Sequence, residues 1–208
     1  YKGENADALI QLDRLAKKLR AARFKNGAVK FDREELHFDV DEKGRPLRCY
    51  FKRSKDANKL IEEFMLLANR TVAESVGKVK KGMKPKTLPY RVHDNPDPQK
   101  LETLREFVVK FGYKMKTDGT KGALARSLNT LMSACEGKRE QNLIQTVALR
   151  AMMKAKYSIH NIGHFGLAFD YYTHFTSPIR RYPDTMVHRL ITRYQQGGRS
   201  ANKEHYEE

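Results

Sequence analysis

Apolar and polar residues alternate along one part of this chain, residues 27–53. Alternation of that kind is typical of half-buried strands, and three short runs show it: GAVKF, ELHFDVD and PLRCYFKR. Asp41–Gly44 separates the last two runs as a turn would. Elsewhere, apolar residues recur mainly at helical spacing. The chain is therefore expected to adopt an α+β fold that is predominantly helical and has one small antiparallel sheet.

Two amphipathic helices are expected to flank the alternating region. The first stops at Asn26-Gly27. Its expected buried face consists of Leu9, Leu12, Leu15, Ala16 and Leu19. The second runs from Asp56, a possible cap, to Gly77. Its expected buried face consists of Leu60, Ile61, Phe64, Leu67, Ala68 and Thr71.

Helical periodicity also covers much of the second half of the chain. Three helices are expected at residues 98–113, 120–135 and 139–155, and Asp97 is the expected cap of the first. Residues 157–175 are rich in glycine and aromatic residues and are expected to be extended.

The charge balance is strongly basic. Lysine and arginine number 41 and aspartate and glutamate 25, which gives 208 residues a net charge of +16. An excess of this size favours a polyanionic partner, most simply nucleic acid, although a solvated surface would also account for it. The two cysteines, Cys49 and Cys135, have no metal-ligand spacing and are interpreted as reduced thiols of a cytoplasmic protein. No apolar run approaches a membrane span, so no membrane partner is expected.

The segment YYTHFTSPIRRYPDTMVHRLI, residues 171–191, gathers hydrogen-bond donors just before a helix. Pro183 lacks an N–H and disfavours helical geometry in the residue before it, so the helix is expected to begin at Pro183. Arg180 and Arg181 then lie in the turn that leads into the helix.

Two interpretations of this turn remain open. A helix N-terminus, a guanidinium and the hydroxyls of Thr176 and Ser177 together suit a phosphate. Alternatively, the two arginines pair with Asp170 and Asp184, and the hydroxyls cap a turn. A metal site built from nearby histidines is not favoured, because no thiol or carboxylate completes a zinc set at the usual spacing. These histidines are His160, His164, His174 and His188.

A longer segment, HFGLAFDYYTHFTSPIRRYPDTMVHRLI, resembles the signature of the ribonuclease II/R family in its RNB catalytic domain. Other segments resemble that domain in the same order: AARFKNGAVKFDREE, ANKLIEEFMLLANRTVAE, HDNPDPQKLETLREF and LRAMMKAKYS. The resemblance covers nearly the whole chain and fits the bacterial ribonuclease R branch best. It implies an RNB-type fold and a processive 3′→5′ exoribonuclease that hydrolyses single-stranded RNA to nucleoside monophosphates.

The same resemblance implies roles for individual residues. Arg180 corresponds to the catalytic arginine at the scissile phosphate, and Phe31 to an aromatic that stacks on the terminal bases. Glu62 corresponds to a glutamate associated with ribose recognition, with its neighbour Glu63 as the alternative. Polar positions near the phosphate correspond to His174, Thr176 and Ser177. Arg181 is expected to support the turn or to contact the RNA backbone. From the residues alone, Phe31 could equally be core and Glu62 a solvated helix residue.

Magnesium is also implied, held by clustered aspartates that in the family lie upstream of the segment matching Tyr1. A catalytic glutamate is expected downstream of Glu208. Residues 1–208 are thus expected to be part of an RNB domain that is inactive alone, with the missing N-terminal half as a possible partner. The alternative function is a non-catalytic, basic RNA-binding module on the same scaffold.

The net charge predicts that this chain binds single-stranded RNA mainly through electrostatic contacts. Affinity for oligo(A) should fall as salt rises, with a log–log slope of about −0.7 for each phosphate neutralised. Filter binding from low to physiological salt measures that slope. An affinity that does not change with salt would contradict a charge-based partner.

Overall fold

A computed structural model describes residues 3–30, 35–52 and 54–206. The helices within those ranges are α1 (Ala6–Lys25), α2 (Asp56–Gly77), α3 (Pro98–Val109), α4 (Lys121–Cys135), α5 (Gln141–Ala151) and α6 (Tyr182–Gln195). The strands are β1 (Glu35–Val40), β2 (Pro46–Lys52), β3 (Tyr90–Val92) and β4 (Lys156–Ser158). Strands β1 and β2 pair antiparallel, as do β3 and β4. The predominantly helical α+β class is confirmed, with two small sheets instead of one.

Two apolar cores hold these elements together. The first lies among α3, α4 and α5, and its largest buried side chains are Leu104, Leu128, Leu131 and Ile144. The second packs α2 against β3 and α6 through Ala73, Val92, Val187 and Leu190. Because α6 belongs to the second core, that core determines where the segment before α6 lies.

The ends of the helices follow the predicted signals in most cases. Helix α1 ends just before Gly27, whose φ of +102° lies in the region that favours glycine. The Asp97 carboxylate caps α3 by accepting from the Gln99 N–H at 2.9 Å. The prediction of Asp56 as the cap of α2 is wrong, because Asp56 lies in the first turn and Lys55 precedes it as the cap.

The predicted buried face of α2 is wrong. Ile61 is 58% exposed and Leu67 is 39% exposed. The face that packs inward instead contains Glu63, Leu66, Asn69, Ala73 and Val76. An apolar pattern places Glu63 and Asn69 outward, but hydrogen bonds from other elements allow both polar side chains to be buried.

The predicted leucine face of α1 is also wrong. Leu9, Leu12 and Leu15 are 40%, 38% and 50% exposed. The inward side of α1 carries the buried residues Ala16 and Arg23 and packs against α2. Of the predicted face, only Ala16 is buried and Leu19 is half-buried, and the contact with α2 includes an ion pair of Arg23.

Residues 27–30 do not form a strand, contrary to the prediction. The Val29 N–H donates to the Gly166 carbonyl at 2.9 Å. The Asn129 side chain of α4 accepts from the Lys30 N–H at 2.8 Å. A loop and a side chain therefore satisfy backbone groups that a neighbouring strand would otherwise pair.

The β1–β2 hairpin carries its apolar side chains on one of its two faces. Its register places Leu36 opposite Phe51 and Phe38 opposite Cys49, so apolar side chains share one face. Phe38 is 57% exposed and Phe51 is 61% exposed.

No helix in the described ranges is long and apolar enough to span a bilayer.

Two histidines join β3 to the loop after β4. The rings of His93 and His164 meet edge to face with centroids 5.0 Å apart. His93 Nδ1 accepts from the Gly166 N–H at 3.1 Å, so its Nε2 donates to the Met153 carbonyl at 2.8 Å. His164 Nδ1 accepts from the Leu167 N–H at 3.3 Å. Burial, followed by the neighbouring charge at His93, lowers the pKa of His164 to about 3.

The lowered pKa of His164 predicts a loss of stability in acid. The unfolded chain protonates this residue near pH 6.5 and the folded chain only near pH 3. Stability from the neutral ring is therefore present above about pH 6.5 and is lost as the pH falls toward 3. His164→Asn keeps an acceptor for the Leu167 N–H but does not titrate. It should reduce the difference in unfolding free energy between pH 7 and pH 5 by at most about 2 kcal/mol.

Urea unfolding at the two pH values measures this difference. His205→Asn is the matched control, because His205 is exposed and should leave the pH dependence unchanged. A His164→Asn protein with the pH dependence of the original would contradict the assignment.

Candidate functional site

Residues 171–181 form a loop that is held against β3 before it reaches α6. The Arg91 N–H donates to the Tyr172 carbonyl at 2.9 Å. The fully buried Thr173 hydroxyl donates to the Pro89 carbonyl at 2.6 Å. These two hydrogen bonds fix the first residues of the loop against β3 and the residue before it.

Asp184, in the first turn of α6, holds the other end of the loop. Its fully buried carboxylate accepts from the Ser177 N–H at 2.8 Å and from Nε and Nη2 of Arg181 at 2.8 and 2.7 Å. Helix α6 begins at Tyr182, one residue before the predicted start. A carboxylate of the helix itself thus occupies the positive end of the α6 dipole. Phosphate binding in this turn would depend on side chains more than on the helix N-terminus.

Arg180 lies beside that ion pair but takes no part in it. Its side chain is exposed, and its Nη2 lies 3.4 Å from Ser177 Oγ, at the limit of a hydrogen bond. No carboxylate of the described residues, including that of Asp170, lies within ion-pair distance of Arg180. The pairing interpretation therefore describes Arg181 but not Arg180.

Asn69, on the buried face of α2, holds the middle of the loop. Its Oδ1 accepts from the N–H groups of Phe175 and Thr176 at 2.9 and 3.2 Å, and its Nδ2 donates to the Tyr172 hydroxyl at 3.2 Å. The Thr176 hydroxyl is inaccessible and has no hydrogen-bond partner within the described ranges. Sequence reasoning missed Asn69. No local signal marked it, because its hydrogen-bond partners lie more than a hundred residues away in the sequence.

His174 lies among aromatic and cationic side chains. Its Nδ1 is 2.7 Å from the Tyr157 hydroxyl, and its ring packs edge-on against Tyr172 at 5.7 Å. The Arg91 guanidinium lies 4.8 Å from the centre of the Tyr157 ring. Burial, followed by the charge of Arg181, lowers the pKa of His174 to about 4. His174 is therefore neutral at pH 7, and with Tyr157 donating to Nδ1 its Nε2–H is a donor. Sequence reasoning missed Tyr157 and Arg91.

Glu62 and Glu63 contact a different set of cations, which belongs to α1. Glu63 is 3% exposed, and its carboxylate accepts from both Nε and Nη2 of Arg23. The half-exposed Glu62 carboxylate lies 3.4 Å from Arg23 and 3.8 Å from Arg20. Glu63 is therefore the one of the two glutamates that faces inward. Among the described residues, neither carboxylate forms a hydrogen bond or ion pair with residues 171–181.

The structure brings most of the predicted site residues together on one loop. These are His174, Thr176, Ser177, Arg180 and Arg181. Glu62 lies in the separate α1–α2 ion-pair cluster, and Phe31 lies outside the described residues. Over residues 3–30, 35–52 and 54–206, no group of three or more His, Cys, Asp or Glu side chains is placed to hold a metal ion.

The family model of the RNB domain matches residues 2–197. The chain belongs to the RNB-domain family. Ribonuclease R of Aquifex aeolicus is 40% identical over 194 residues, which cover 92% of this chain and 26% of that protein. The resemblance to the ribonuclease II/R family is thereby confirmed.

Solved structures agree with this assignment. RNase R of Mycoplasma genitalium, in complex with ribose-methylated single-stranded RNA, superposes with a TM-score of 0.78 at 30% identity over 91% of this chain and 29% of that one. Yeast Ssd1, a pseudonuclease, shares the fold with a TM-score of 0.69 at 21% identity, over 99% of this chain and 25% of that one. The RNB chain thus spans about a quarter of the length of the proteins it matches.

The different surroundings of the two adjacent arginines predict different effects on stability. Arg181→Ala leaves the buried Asp184 carboxylate without its cation and should lower the free energy of unfolding by about 3 kcal/mol. Arg180→Ala removes an exposed side chain and should change it by less than about 0.5 kcal/mol. Urea unfolding of both variants at pH 7 compares the two positions. Equal losses at both would show that the Arg181–Asp184 pair does not hold the loop.

Proposed function

We propose that the protein is a 3′→5′ exoribonuclease that hydrolyses single-stranded RNA to nucleoside monophosphates, with Arg180 on the scissile phosphate. The observation that carries this proposal is the exposed guanidinium of Arg180 on a loop that is held at both ends. Membership in the RNB-domain family and relatives that are ribonucleases support the reaction class. The net charge of +16 supports a polyanionic substrate.

In this proposal Arg180 stabilises charge that develops on the phosphate. A guanidinium offers two parallel N–H donors that match two phosphate oxygens. Because hydrogen bonds hold the loop backbone, the point from which the Arg180 side chain extends is fixed, which limits the reorganisation that electrostatic stabilisation requires. The neutral His174 would add an Nε2–H donor to the same anion without adding charge.

The remaining contacts are proposed for the nucleotide that is released and its neighbours. Phe31 stacks on a base, and Glu62 recognises a ribose. Exposure supports Glu62 over Glu63, because the Glu63 carboxylate is buried against Arg23. The Ser177 hydroxyl, beside the Arg180 guanidinium, is proposed as a further phosphate contact, Thr176 contributes through its backbone because its hydroxyl is buried, and Arg181 supports the turn.

We also propose a magnesium ion, which carboxylates outside this chain would hold and which would supply an activated water. Two buried carboxylates of the described residues do not fit a magnesium ion. Asp184 and Glu63 are buried, and each already neutralises an arginine. The part of the reaction that residues 171–181 can perform is therefore binding and orienting the phosphate.

A second candidate function is RNA binding without cleavage. Two observations favour it: the fold is shared with yeast Ssd1, a pseudonuclease, and the described ranges contain no cluster of metal ligands. Incubation of the full-length protein with 5′-labelled oligo(A) and magnesium separates the two. A ladder or a short limit product supports the exoribonuclease, and intact RNA that is bound but not cut supports the binding module.

Arg180→Ala should lower kcat on the order of 100- to 1000-fold in the full-length protein, because it removes a donor aimed at transition-state charge. RNA affinity should change little, since many other cations hold the strand. Arg180→Lys should not restore the rate, because an ammonium cannot make the two-pronged contact. Single-turnover cleavage and filter binding measure both quantities.

Arg199→Ala is the matched control, because Arg199 is also exposed but lies beyond α6. It should leave the cleavage rate unchanged. Near-normal single-turnover cleavage by Arg180→Ala would remove Arg180 from the reaction.

A further inference from the structure

We propose that Asn69 is a positioning residue that sets the guanidinium of Arg180 for the phosphate. Asn69 belongs to α2 and precedes Phe175, one of its hydrogen-bond partners, by 106 residues. It is 3% exposed and does not contact Arg180 itself. The inference rests on the proposed role of Arg180 and extends it to a residue that acts only through the loop.

Three consecutive backbone N–H groups of the loop end on side-chain acceptors. The Oδ1 of Asn69 takes those of Phe175 and Thr176, and the Oδ1 of Asp184 takes that of Ser177. Two buried side chains from two different helices therefore hold the loop backbone at residues 175–177. Both acceptors are side-chain oxygens, so the position of this part of the loop depends on Asn69 and Asp184.

The held segment leads directly into the arginine. The Ser177 carbonyl accepts from the N–H groups of Arg180 and Arg181 at 3.3 and 3.1 Å. Arg181 has a second anchor in the Asp184 carboxylate, but the exposed side chain of Arg180 has only its marginal contact with Ser177 Oγ. The direction of Arg180 thus depends on the backbone of residues 175–177.

An asparagine suits this position for a definite chemical reason. Backbone N–H groups can only donate, so the amide oxygen must face Phe175 and Thr176, and the amide NH2 must face the Tyr172 hydroxyl. One amide therefore satisfies three groups from two sides. Asn69→Ala leaves two N–H groups without an acceptor, and the loop would shift to find water.

The expected effect of Asn69→Ala is a loss in kcat of about 10- to 100-fold with little change in KM, as for a misplaced group that acts in the transition state. The decisive measurement is a double-mutant cycle in single-turnover cleavage by the full-length protein. If Asn69 acts through Arg180, Asn69→Ala should cost less than about 2-fold once Arg180 is already alanine. Independent losses that multiply would overturn the proposal.

Leu66→Ala is the matched control for lost stability. Leu66 lies on the same buried face of α2 but makes no hydrogen bond to the loop. It should lower the melting temperature and leave kcat unchanged at a temperature where the protein is folded. A kcat loss in Leu66→Ala equal to that in Asn69→Ala would mean that destabilisation alone explains the effect, which overturns the proposal.

A readout that needs no cleavage separates failure of this inference from failure of the proposed function. Amide hydrogen exchange of residues 173–181 should speed up in Asn69→Ala and stay unchanged in Leu66→Ala. Unchanged exchange in Asn69→Ala overturns the positioning role whatever the enzyme does. Faster exchange together with normal cleavage by Arg180→Ala would instead overturn the role of Arg180, and with it the catalytic part of this inference.

Discussion

A carboxylate buried together with its guanidinium determines how the loop before α6 is built. Asp184 is fully buried, and a buried charge is tolerated only with an opposite charge and hydrogen bonds around it. Arg181 supplies the charge in a two-pronged contact, and the Ser177 N–H supplies a further donor. Arg181 is thereby committed to the fold. The residue before it, Arg180, projects in another direction and remains exposed.

Helix α2 links this loop to the rest of the chain through two buried polar side chains. Glu63 faces α1 and binds Arg23, while Asn69, six residues further on, faces the loop. Leu66 lies between them on the same face and is buried. The buried face of α2 therefore carries polar side chains that bind α1 and the loop, with apolar side chains between them that exclude water. In this arrangement the buried contact between α1 and α2 includes the Arg23–Glu63 ion pair.

Local signals in the sequence predicted the helices, although α3 and α5 end four residues before their predicted ends at residues 113 and 155. Gly27 and Asp97 act through their own backbone or side chain, so a reader of the sequence can recognise them. Of the site, only the residues of the loop motif and those implied by the family resemblance could be predicted from the sequence. Asn69 was not predictable, because its partners lie more than a hundred residues away and its polarity argues for an exposed position. The same physical cause misplaced the buried face of α2: periodicity measures apolarity, whereas burial also admits polar groups that are fully hydrogen-bonded.

The surroundings of His174 fix the charge of this region. Burial is the main cause that lowers its pKa, and the charges of Arg181 and Arg91 act in the same direction. An imidazolium here would lie against cations, so the ring stays neutral and the Tyr157 hydroxyl holds its Nδ1. The positive charge that an RNA phosphate would meet therefore comes from arginines, which do not titrate in the physiological range. Because the pKa of His174 is lowered to about 4, its ring adds no positive charge to this loop at pH 7.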